Sequence, residues 1–189
     1  MIEPLRYPLP SGGNKESWTC SQCGQTHSGV PEGWGFDTPW PWCVTDNTSR
    51  AKNSTLKKDS CVLSGEDFFV QGCLEIPILD FDKPLIWGVW VSLSETNFER
   101  HKPLFEDSRR IDEPPYFGWP SSRIQIYPDT LLLKTHVHTR NADIKPFMEL
   151  ERTDHPLAVE QRLGITQDRK REIAELMEHR WLHLKWDSK

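Results

Sequence analysis

The chain has 189 residues, 36% hydrophobic and 27% charged, with a formal net charge of −5. At a sequence pI of about 5.8 it lacks the cationic surplus that phosphate contacts require, which argues against a general nucleic-acid binder. There is no run of about 18 apolar residues, so no membrane span is expected.

Residues 1–17 contain Pro4, Pro8, Pro10, Gly12 and Gly13 and read as a flexible arm ahead of one domain over 18–189. Their opening, MIEPLRYPLPSGG, has no apolar core of a secretory signal. Residues 18–43 hold Trp18, Trp34, Trp40 and Trp42 among many Pro and Gly residues, with no period of 2 or 3.6. Such a segment needs a staple. Residues 44–60 are polar and read as a surface connection.

Strand signals cluster over 61–152. Cys61–Leu63 and Phe68–Val70 flank Ser64-Gly65-Glu66-Asp67, a hairpin-like turn. Residues 72–79 alternate, with Pro77 marking an edge or a bulge. Residues 85–93 form a strongly apolar strand, and Ser94 can cap a short helix after it. Residues 131–138 and 146–152 read as two more strands. In the first, Leu131, Leu133, Thr135 and Val137 share the core face, opposite Leu132, Lys134, His136 and His138.

Helical signals cover 153–185. Thr153-Asp154-His155 precedes Pro156 as a cap, Gly164 ends a first helix and Thr166 caps a second. Ile173, Leu176, Met177, Trp181 and Leu184 fall on one face of the second helix, with Arg171 and Glu175 paired on the other. Strands followed by helices imply an α+β fold, a mostly antiparallel sheet with helices against one face.

The motif with the most definite chemistry is Cys20-Ser21-Gln22-Cys23-Gly24. Two thiolates at this spacing can bind one metal where the chain turns tightly, and the glycine permits the left-handed turn. A closed zinc site needs four ligands, so the candidates are Cys20 and Cys23 with others from His27, Cys61 and Cys73. Plain thiols are the alternative, and a redox role is a weaker one, since no βαβ context surrounds the motif. An odd count of five cysteines argues for a reducing, cytoplasmic compartment.

Other constellations carry competing readings. His136, His138, Glu149 and Glu151 would face one another if their strands pair, as a divalent-metal or acid–base site or as a solvated sheet face. Asp154-His155 is either an acid–base pair or a helix cap. Trp87, Trp90, Tyr116, Phe117 and Trp119 either line a ligand pocket or fill the core.

Six stretches taken together carry a resemblance: CSQCGQTHSG, DSCVLSGEDFFVQGCLEIPI, WGVWVSLSETNF, PPYFGWP, YPDTLLLKTHVHTR and ELERTDHPLAVEQRLGIT. In this order they resemble a bacterial family, domain of unknown function 2199. The resemblance implies a bacterial, cytosolic, single-domain protein and brings no established activity and no catalytic residues. The functional expectation is a non-enzymatic protein, of immunity or regulatory type, that carries a structural zinc and acts through a protein partner. The alternative is a metal-dependent hydrolase using His136, His138, Glu149 and Glu151.

Overall fold

The architecture grows from one long hairpin. In chain order the elements are β1 (Arg6–Pro8), β2 (Ser17–Thr19), β3 (Thr26–Ser28), β4 (Gly33–Phe36), α1 (Trp40–Val44), α2 (Asn47–Arg50), β5 (Thr55–Leu56), β6 (Ser60–Leu63), β7 (Asp67–Ile78), β8 (Phe81–Leu93), α3 (Glu95–His101), β9 (Tyr116–Pro120), β10 (Thr135–His138), β11 (Phe147–Leu150), α4 (Pro156–Leu163) and α5 (Gln167–Trp186). This computed structural model describes residues 6–9, 17–50, 52–105, 107–131, 133–142 and 144–186.

Strands β7 and β8, rich in Phe, Val, Ile and Trp, pair antiparallel from Phe68↔Leu93 to Ile76↔Leu85. The register then slips between Ile76 and Ile78, where Pro77 has no N–H to offer the ladder. The hairpin is long enough for each outer edge to serve two partners. Strand β7 pairs with β6 over Asp67–Val70 and with β11 at Cys73, while β8 pairs with β9 over Val91–Leu93 and with β4 over Ile86–Gly88. Strand β10 then joins β9 to β11. The ladder therefore closes on itself through β7, β8, β9, β10 and β11, and β1–β4 and β5–β6 extend it as flanges.

The α+β class holds, but the sheet is mixed rather than mostly antiparallel. Ladders β4–β8 and β11–β7 are parallel. Local hairpin signals cannot reveal such pairings, because both join strands distant in sequence. Arg6–Pro8, within the stretch read as an arm, pairs with β4; residues 1–5 and 10–16 of that stretch lie outside the described residues.

Alternation around the ring sorts the side chains. Tyr116, Thr135, Val137, Met148 and Leu150 are buried, while Phe117, Trp119, His136, His138 and Glu149 point outward. The regular strand starts at Thr135, so Leu131 and Leu133 precede it as half-buried loop residues, and Leu132 lies outside the described residues. Both faces of β8 are covered, and Trp87 and Trp90 are each fully buried. The Trp90 indole N–H and the Gln71 amide both donate to the Phe36 carbonyl at 2.8 Å, which fixes β4 against the hairpin.

The helices begin as their sequences direct. Ser94 Oγ accepts the Asn97 N–H at 3.2 Å, His155 Nδ1 accepts the Leu157 N–H at 3.2 Å, and Thr166 Oγ1 accepts the Arg169 N–H at 3.1 Å. His155 is thus a helix cap. Helix α5 buries Ile173, Ala174 and Met177, while Leu176 is only half-buried. The side chains of Trp181 and Leu184 lie outside the described residues.

Candidate metal centre

The stretch around the first two cysteines is a small ribbon. Strands β2 and β3 pair antiparallel, with Trp18 opposite His27. Between them the chain turns back at once: Cys20 N–H donates to the Gln25 carbonyl and Gly24 N–H to the Cys20 carbonyl, each at 2.9 Å. Gly24 has φ +69°, a left-handed conformation that costs glycine little.

This turn aims backbone N–H groups at both sulfurs. Gln22 N–H points to Cys20 Sγ at 3.4 Å and Gln25 N–H to Cys23 Sγ at 3.5 Å. The imidazole of His27 stacks on Trp18 at 4.8 Å between ring centres, and the Trp18 indole N–H is anchored on the Gly29 carbonyl at 3.2 Å. The stacked ring puts His27 Nε2 at 3.7 Å from Cys23 Sγ. The ligand atoms of Cys20, Cys23 and His27 all lie within 4.8 Å of one another. Cys20 is buried, His27 half-buried and Cys23 exposed.

The ribbon is clasped from outside its own sequence. Glu175 of α5 accepts both the Ser21 N–H, at 3.1 Å, and the Ser21 hydroxyl, at 2.5 Å. Sequence spacing pairs Glu175 with Arg171, but Arg171 pairs with Asp168 at 3.1 Å instead. A contact across 154 residues leaves no periodic signal.

The remaining expected ligands stand elsewhere. Cys61 lies on β6 opposite Phe69, and burial, with the Asp67 carboxylate nearby, pushes its thiol up to about 12. Cys73 lies on β7 opposite Gly88, and burial raises it as well. The structure groups neither with the ribbon.

His136, His138, Glu149 and Glu151 do meet across β10 and β11, but as two couples. His138 Nε2 lies 2.7 Å from Glu149 and His136 Nε2 lies 3.5 Å from Glu151. All four side chains are at least a third exposed, and among the described residues their ligand atoms form no three-membered cluster. Of the aromatic group, Trp87, Trp90 and Tyr116 are core, whereas Phe117 and Trp119 are each 40% exposed. These two pack edge to face at 5.4 Å on the outer face of β9, with His136 at 6.0 Å from Phe117.

These features define an α+β protein with a closed strand ring and a Cys-Cys-His ribbon able to ligate a metal. The chain belongs to a family described as an uncharacterized protein conserved in bacteria (DUF2199), whose family model matches residues 19–165. No curated protein and no solved structure matches it. Among the described residues no helix is long and apolar enough to cross a membrane.

Proposed function

We propose that Cys20, Cys23 and His27 hold one zinc ion that staples the 18–43 segment, and that the chain is a non-enzymatic, cytoplasmic binding protein acting on a protein partner, as an immunity or regulatory protein does. The observation that carries the metal reading is the spacing of the donors. In a tetrahedral zinc site with Zn–S of about 2.3 Å and Zn–N of about 2.1 Å, sulfur and nitrogen ligands stand about 3.6 Å apart. Cys23 Sγ and His27 Nε2 are 3.7 Å apart. Two thiolates with an imidazole also suit zinc better than a hard cation. The odd count of five cysteines supports a reducing compartment.

The partner reading rests on Phe117 and Trp119, an exposed aromatic pair on a regular strand. Aromatic side chains are enriched at the centres of protein interfaces. The hydrolase alternative would need His136, His138, Glu149 and Glu151 to act as one centre, and their pairing in separate couples supports it less.

Elemental analysis of protein purified without chelator tests the metal. About one zinc per chain is expected, lost in Cys20→Ser and in His27→Ala. Less than about a tenth of an equivalent of any transition metal would leave plain thiols. Co-purification tests the partner: a stoichiometric protein retained by the parent and released by Phe117→Ser/Trp119→Ser is expected. Metal-dependent turnover that disappears with His138→Ala would favour the hydrolase.

A further inference from the structure

A second site lies away from the metal ribbon. A cavity of about 440 Å³ opens between the C-terminal end of α3 and the flange formed by β5 and β6. That is the size range of small-molecule pockets. Its mouth carries Lys57, Lys58 and Lys102, and its apolar wall is formed by Phe98 and Phe105. In a chain of net charge −5 such a cluster of cations stands out.

His101 also lines this cavity, at 3% exposure, and among the described residues neither of its ring nitrogens has a hydrogen-bond partner. Phe105 and Tyr116 meet its ring edge-on at 6.1 and 5.8 Å, so its surroundings on those sides are aromatic. A buried polar atom without a partner is costly, and a ligand group entering the cavity would supply the missing bond. Burial, reinforced by Arg110, lowers its pKa to about 4, so at neutral pH the ring offers one N–H donor and one lone pair.

The charge balance favours an anion. A neighbouring cavity of about 470 Å³ shares Lys58, Asp59 and Phe105 and adds Arg110 and Lys145. Lys145 neutralises Asp59 at 2.8 Å, and Glu99 partly offsets Lys102 at 3.2 Å. Among the described residues no ion pair offsets Lys57 or Lys58. Lysine heads suit the dispersed charge of a phosphoryl group, and the two phenylalanines suit a flat apolar body.

We propose that this cavity binds a small phosphomonoester with a flat apolar body, its phosphate on Lys57 and Lys58 and its body between Phe98, Phe105 and His101. Isothermal titration of the full chain with phenyl phosphate, orthophosphate and phenol, at fixed ionic strength, tests it. Phenyl phosphate is expected to bind at least about tenfold tighter than either fragment, because charge and apolar contacts act together. Lys57→Ala/Lys58→Ala, both exposed positions, should weaken it by about tenfold or more, and His101→Phe should weaken it too by removing the ring nitrogens that would bond the ligand. Equal affinity for orthophosphate and phenyl phosphate would mean a generic anion effect and overturn the proposal. So would no saturation by about 10 mM, or unchanged affinity in the lysine double variant. If His101→Phe does not fold, the lysine variant alone decides.

Discussion

Closure of the strand ring depends on how closely β9 lies against β8, and Gly118→Ala tests this. Gly118 faces the ring interior between Tyr116 and Pro120, opposite Leu93 in the ladder. A Cβ there would lie 2.3 Å from the Ser92 carbonyl oxygen and 2.5 Å from Val91 Cγ1. Ordinary contact begins at about 3.4 Å, so β9 must retreat by about 1 Å. Neither obstacle is the far end of a flexible side chain. Overpacking of this kind costs about 1–3 kcal/mol, and a weakened ladder hydrogen bond adds about 1. The expected loss is about 2–4 kcal/mol, which for a chain of this size lowers Tm by about 5–15 °C. Urea unfolding followed by tryptophan fluorescence measures it, with the outward-facing neighbour Phe117→Ala as the comparison. A loss below about 0.5 kcal/mol, the range of ordinary surface changes, would refute the close β8–β9 approach and the closed ring with it.

The other predictions address the metal, a buried histidine and the C-terminal helix. Zinc at a thousand times its dissociation constant should add about 4 kcal/mol to parent stability, seen as a chelator-sensitive Tm that Cys20→Ser lacks. His101 ionises near pH 4 when folded against an ordinary 6.5, so the unfolded chain takes up the proton first as pH falls. Its contribution is full above about pH 6.5 and declines towards pH 4 by up to about 3 kcal/mol; urea midpoints over this window should fall more steeply for the parent than for His101→Phe. Ile173→Ala, at a fully buried position on α5, should cost about 2–5 kcal/mol by calorimetry, whereas Leu176→Ala, half-buried, should cost clearly less.

Local chemistry accounts for the features that were legible in the residues alone. The turn at Ser64-Gly65, the bulge at Pro77 and the caps at Ser94, His155 and Thr166 each depend on a few adjacent residues. The same holds for the Cys20–Cys23 turn and its His27, which the backbone of one short ribbon brings together. Alternation alone put His136 and His138 on the face opposite Thr135 and Val137. Tertiary structure decided the rest, because it rests on pairings between distant strands. Only the folded chain sets β11 parallel to β7 and β4 parallel to β8, closes the ring and sends Phe117 and Trp119 to the surface while burying Trp87 and Trp90. It also brings Glu175 to Ser21 and buries His101 beside a cation-rimmed cavity. Periodicity records which face of an element is apolar; it carries no record of which remote element covers that face.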